Sequence, residues 1–185
     1  MSVLREELLD GRAIAVAGGL PSSVGGALER LGARIEEMPA HGVLGEDEER
    51  VGEWARSRGP LQAIVYDARQ AFGSGGEHAL SESLEQAWVA VREVANGALI
   101  PAEEPGKVVL LGPRPDAGPL AGAARAGLEN LARTLSVEWA RFAVTAAMVA
   151  PGAGTTDAEL AELVSFLVSP AGEYLSGCRL ELGAS

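Results

Sequence analysis

Ala13-Ile14-Ala15-Val16-Ala17-Gly18-Gly19-Leu20-Pro21-Ser22-Ser23-Val24-Gly25-Gly26 is the stretch that decides the architecture. Five apolar residues in a row read as a strand buried on both faces, the pattern of a parallel sheet. The glycines behind it permit a tight turn. From 23 to 31 the chain then reads as a helix, with Val24, Leu28 and Leu31 on one face. Strand, glycine-rich turn and helix start form a place where a pyrophosphate can approach a helix N-terminus. Purely steric needs produce the same turn, so these residues alone leave phosphate binding open.

The alternation continues in both kinds of element. Strands are expected at 34–38, 62–66, 107–111, 144–149 and 178–182. Helices are expected at 46–58 (Val51, Trp54 and Ala55 inward), 81–99 (Leu84, Trp88, Val91, Ala95) and 119–141 (Leu128, Leu131, Leu135, Trp139). A last helix is expected at 157–168, N-capped by Thr155 or Thr156. Strand–helix repetition implies an α/β, Rossmann-like, doubly wound parallel sheet with helices on both faces. A length of 185 residues suits one domain, 1–185, with one real core.

Bulk properties exclude several partners. A formal net charge of -11 repels nucleic acid and anionic membrane surfaces. No apolar run is long enough to span a bilayer, and Met1 to Glu7 lacks an apolar signal core. Cys178 is the sole cysteine, so no internal disulfide can form, and a cytoplasmic location is expected. Its apolar-alternating surroundings read as those of a packed, inert thiol. Gly45-Glu46-Asp47-Glu48-Glu49 is acidic, but a solvated first helical turn explains it better than a metal site. His41 stands alone in a loop, and no ligand spacing accompanies it. Gly73-Ser74-Gly75-Gly76 reads as a flexible loop.

The second half carries a resemblance. Residues 124–140, Ala-Arg-Ala-Gly-Leu-Glu-Asn-Leu-Ala-Arg-Thr-Leu-Ser-Val-Glu-Trp-Ala, resemble the long helix after the active-site motif of the short-chain dehydrogenase/reductase family. Val149-Ala150-Pro151-Gly152 resembles that family's Pro-Gly turn, and 162–170 and 175–182 resemble its last helix and strand. The resemblance spans nearly the whole chain and is strongest from Gly106 onward.

The family's chemistry does not come with it. Members use a Tyr that exchanges a proton with the substrate oxygen. A Lys four residues later lowers the Tyr pKa and holds the nicotinamide ribose. Those places fall on Ala121 and Arg125. Independently of any alignment, Lys107 is the only lysine, with Glu103 four before it, and neither Tyr66 nor Tyr174 has Lys or Arg four residues on. The catalytic Ser falls near Gly112 or Pro113, and the family's helix Asn on Ser83. The glycine motif falls on Gly18, Gly19, Ser23 and Gly25. Gly19 and Gly25 match, but Ser23 replaces the middle glycine and Pro21 stiffens the loop. The ribose-reading residue falls near Pro39. The Asn-Asn-Ala-Gly turn becomes Tyr66-Asp67-Ala68-Arg69, with Tyr66 bulky enough to fill cofactor space. Between Met38 and Glu46 there is too little chain for the usual adenine-side helix and strand. After Gly152 there is no room for a substrate lid.

The expectation is a trimmed, non-catalytic subunit, with no catalytic residue and a vestigial site at Gly18, Gly19, Ser23 and Gly25. It binds no cofactor and no metal. It acts through the family's association surfaces, at 81–99, 119–141 and 178–182, as a homo-oligomer or with an active short-chain dehydrogenase/reductase subunit. The alternatives are an NAD(P)-dependent oxidoreductase with altered machinery at Arg125, Asp116 or Tyr66, or a nucleotide or small-molecule binding protein. Gly19 and Gly25 are expected to serve tight turning and helix–strand packing, with Gly25→Ala costing stability.

Overall fold

Ala13–Ala17 (β1) pairs in parallel with Arg34–Glu37 (β2) on one side and Ala63–Asp67 (β3) on the other. Gly106–Leu111 (β4), Val144–Pro151 (β5) and Cys178–Leu182 (β6) extend the sheet beyond β3, giving the order β2-β1-β3-β4-β5-β6. The computed structural model describes residues 4–40, 46–73 and 75–183. His41, Gly45 and Ser74, named above, lie outside the described residues, as do Met1 to Val3.

The helices are Ser22–Arg30 (α1), Glu46–Ser57 (α2), Arg69–Phe72 (α3), Glu77–Val94 (α4), Ala121–Glu138 (α5) and Asp157–Val168 (α6). Helices α2, α4 and α5 cover one face of the sheet, packing on Ala15, Ile64, Leu110 and Met148. Helices α1 and α6 cover the other, packing on Ile14, Val65, Val109 and Val149. β1, β3 and β4 are buried at every position, as continuous apolar strands in a two-faced sheet must be. β2 and β6 are the half-exposed edges.

The chain leaves β1 for β2, then crosses back over β1 to reach β3. That reversal opens a crevice at the carboxyl ends of β1 and β3, where doubly wound sheets bind ligands. On the crevice side, β2 is the outermost strand among the described residues. Only five residues separate β5 from α6, so no lid segment stands there.

The expected strands and helices are present, with ends displaced by a few residues. Thr156 is the N-cap of α6. Its backbone N–H donates to Glu159 Oε2 at 2.8 Å and its Oγ1 accepts from the Glu159 N–H at 3.3 Å, a reciprocal box. The Thr156 N–H, and then the Thr156 hydroxyl, donating to Oε2 hold the Glu159 carboxyl below its ordinary value. Helix α4 ends in a π-turn, Ala95–Leu99. There a Cβ on Gly97 would sit 2.9 Å from the Ala55 Cβ, so glycine lets α2 lie close. The acidic start of α2 is partly matched, with Asp47 paired to Arg50 at 2.6 Å and Glu48 to Arg92 at 2.8 Å. Burial pushes the Cys178 thiol up, but on the half-exposed β6 edge the side chain is only partly buried, which corrects the reading of a fully packed thiol.

Lys107 is out of place energetically. It is 2% exposed on β4, and its Nζ has no hydrogen-bond partner. Burial holds its ammonium below the ordinary 10.5. Lys107→Met is expected to raise the unfolding free energy by about 1–3 kcal/mol at neutral pH. Between the folded and unfolded pKa values the unfolded chain binds more protons, so wild-type stability rises with pH there. The advantage of the variant should therefore shrink as pH climbs toward 10.5. Urea unfolding across pH checks both, and an advantage that widens with pH contradicts the account.

Candidate functional site

The glycine turn enters the crevice with Gly18 and Gly19 both at positive φ, +77° and +79°. A Cβ on Gly18 would strike the backbone carbonyl of Asp67, so β1 and β3 approach each other through that glycine. A Cβ on Gly19 would strike the amide of Gln70, at the start of α3. The space over Gly19 is thus taken by a protein side chain. Gly25 is different. It lies inside α1, has no positive φ, and a Cβ there would meet nothing within 4 Å. The expected packing role of Gly25 is corrected, because its missing side chain faces open space.

Ser23, at the place of the family's middle glycine, donates from Oγ to Asp157 Oδ2 at 3.1 Å. This bond ties the first turn of α1 to the first turn of α6. Beside it, Asp67 is 2% exposed and forked by Arg69, with Nε to Oδ1 at 2.9 Å and Nη2 to Oδ2 at 2.6 Å. The crevice that remains is a cavity of about 470 Å³ lined by Gly18, Gly19, Glu37, Pro39, Gln70 and neighbours. Tyr66 does not line it. The phenol is fully buried among Ala17, Met38, Ala87 and Leu110, under α4, which corrects the reading that it fills cofactor space. Burial, with Asp67 and Glu82, pushes its hydroxyl up and keeps it protonated.

The carboxyl ends of β4 and β5 are bound together by arginines. Arg125 is 7% exposed, and its Nη1 donates to Pro113 O at 3.0 Å and Pro151 O at 2.8 Å. Arg114 donates to Ala153 O at 2.8 Å and Thr155 O at 2.6 Å. Thr155 closes the turn, accepting from Gly152 N–H at 2.8 Å and donating to Leu182 O at 2.6 Å. Backbone acceptors at the ends of β4, β5 and β6 are thereby taken up by the chain itself. Burial first, and then the charge of Arg179, hold the Arg125 guanidinium below its ordinary value, against the opposing pull of Glu181.

Ala121 is fully buried with Ala124 beneath Phe72, the last residue of α3. A Cβ at Gly112 would run into the Met148 methyl. Ser83 is buried and donates to Leu80 O at 2.9 Å. The three positions expected for the family's Tyr, Ser and Asn therefore face core or backbone. Among the described residues, no group of three His, Cys, Asp or Glu side chains is placed to hold a metal.

Sequence reasoning missed Glu37, Arg114 and α3. Glu37 ends β2 and lines the crevice, two residues before the Pro39 named above. Its signal was available: an acid about 20 residues past the glycine turn is where a ribose reader stands. Helix α3 spans four residues, too few for any periodicity to show. Arg114 carries no signal, since its acceptors lie 39 and 41 residues away.

The two kinds of glycine separate by substitution. Gly18→Ala is expected to lose more than about 2 kcal/mol, from a disfavoured φ and a backbone clash. Gly25→Ala is expected to gain roughly 0.5–1 kcal/mol as an interior helix position. Chemical denaturation of both variants checks this, and a destabilised Gly25→Ala contradicts it.

No protein-family model matches the chain. No curated protein matches it either. Solved structures do. A citronellol catabolism dehydrogenase from Pseudomonas aeruginosa PAO1 is similar at 27% identity and TM-score 0.76, over 98% of this chain and 97% of that one. A mutant short-chain dehydrogenase/reductase from Serratia marcescens is similar at 21% identity and TM-score 0.74, over 95% and 97%. A putative NAD(P)-dependent gluconate 5-dehydrogenase from Beutenbergia cavernae, described with NADP bound at low occupancy, is similar at 17% identity and TM-score 0.77, over 96% and 97%. With this strand order and this end-to-end likeness, the chain has the Rossmann-like fold of the short-chain dehydrogenases/reductases.

Proposed function

We propose that this chain is a non-catalytic subunit of short-chain dehydrogenase/reductase type that works by association, with itself or with an active subunit of the same fold. The observation that carries the reading is the Arg125 bridge. The group standing where the family holds a nicotinamide ribose donates instead to Pro113 O and Pro151 O. A dinucleotide does not fit the residues present. Gln70 covers Gly19, the Ser23–Asp157 bond ties down the first turn of α1, and Phe72 seals Ala121. Neither a proton donor nor an amine partner stands in the Tyr and Lys places, so no hydride-transfer step is assigned.

A second reading has one observation in its favour. The cavity beside Gly18, Gly19 and Glu37 has about 470 Å³, enough for part of a nucleotide. It favours nucleotide binding without turnover, the bound NADP being a feature of the Beutenbergia protein.

The association surfaces are the outer faces of α4 and α5 and the β6 edge. Leu84, Trp88 and Leu131 are only partly buried there, and Val137 is 78% exposed. Among the described residues β6 has no strand paired on its outer edge, and Tyr174, in the turn that precedes it, is 91% exposed. We place the protein in the cytoplasm on its single cysteine. No helix among the described residues is long and apolar enough to cross a membrane.

Sedimentation at micromolar concentration is expected to show a dimer or larger species. Val137→Glu is expected to shift it toward monomer while changing stability by less than about 0.5 kcal/mol. A purely monomeric wild type that co-purifies with no partner overturns the proposal. The double variant Ala121→Tyr/Arg125→Lys is expected to show no dehydrogenase turnover with NAD or NADP, and to be less stable by about 1–3 kcal/mol from overpacking at Phe72. Turnover by either protein contradicts the reading.

A further inference from the structure

A second cavity, of about 350 Å³, lies between α5 and the β6 edge, and Arg125 and Arg179 both line it. Arg125 is 7% exposed, yet its hydrogen bonds run to neutral carbonyls and it forms no ion pair among the described residues. A buried guanidinium without a counter-ion is costly, and two carbonyls offset that cost only in part. Arg179 donates from Nη1 to Glu129 at 3.3 Å and from Nη2 to Glu181. Its Nε–H is buried and has no partner. The lining also includes Pro115, Ala150, Ala153 and Leu182, an apolar set.

We propose that this cavity binds a small organic carboxylate, its anionic end against the Arg125 guanidinium beside Arg179 and its short apolar body against Pro115 and Leu182. Arg179 is already matched by Glu129 and Glu181, whereas Arg125 lines the space with a charge that has no ion-pair partner among the described residues, and one carboxylate would neutralise it. The like charge of Arg179 already depresses Arg125, and a bound anion relieves that repulsion as well as the burial penalty. A phosphate dianion is the poorer match. It would meet the Glu181 carboxylate with excess charge and the apolar lining with none of its own surface to bury.

The test is calorimetric titration of the full chain with butyrate at constant ionic strength, with butanol and inorganic phosphate as controls. Saturable butyrate binding is expected, with none by butanol. Arg179→Met, which leaves the Glu181 carboxylate uncompensated beside the site, is expected to weaken it by roughly tenfold or more. Ala153→Asp, at an exposed lining position, is expected to abolish it while leaving the arginines in place, and thermal melting confirms that both variants fold. Absence of saturable butyrate binding, unchanged binding in both folded variants, or phosphate binding as tightly as butyrate overturns the proposal. These readouts involve neither nicotinamide cofactor nor oligomeric state, so they fail or succeed independently of the proposed function.

Discussion

Arg125 donating to the carbonyls of Pro113 and Pro151 is the contact on which the upper rim of this molecule depends. A parallel sheet ends with strand carbonyls that have no neighbour to pair with, and something must satisfy them. In an open α/β crevice, water and ligand share that task. Here β4 and β5 are joined by one guanidinium, and Arg114 and Thr155 continue the pattern onto the following turn and β6. The five-residue passage from β5 to α6 is compatible with this arrangement because its carbonyls already have donors. A longer lid would have to displace them.

The same economy explains the glycine turn. Gly18 and Gly19 are needed for positive φ and for close approach to Asp67 and Gln70. Helix α3 matters more than its four residues imply. Its first residue forks Asp67, its second covers Gly19, and its last closes over Ala121. One short element thereby touches the end of β3, the glycine turn and the position expected for the family's Tyr.

The fold was legible because its signals are periodic. The run Ala13 to Ala17 and the helical stripe Leu128, Leu131, Leu135 repeat at spacings that only strands and helices satisfy. The substitutions at Ala121, Arg125 and Ser23 were legible as residue identities. Their partners were not: Phe72, Pro151 and Asp157 reach them from 49, 26 and 134 positions away, and no local pattern encodes such distances. Gly25 was misread for a related reason. A glycine in a known motif position invites a packing explanation, and only the surrounding space shows that nothing packs there.

The central claim is that this chain's own side chains occupy the ground a dinucleotide would need. Titration with NADPH and NADH, followed by quenching of tryptophan fluorescence, tests it most directly, since Trp54 and Trp88 lie on the helices covering that face of the sheet. The account predicts no saturable change up to millimolar cofactor. Saturable quenching at micromolar concentration, reversed by excess oxidised cofactor, would contradict it.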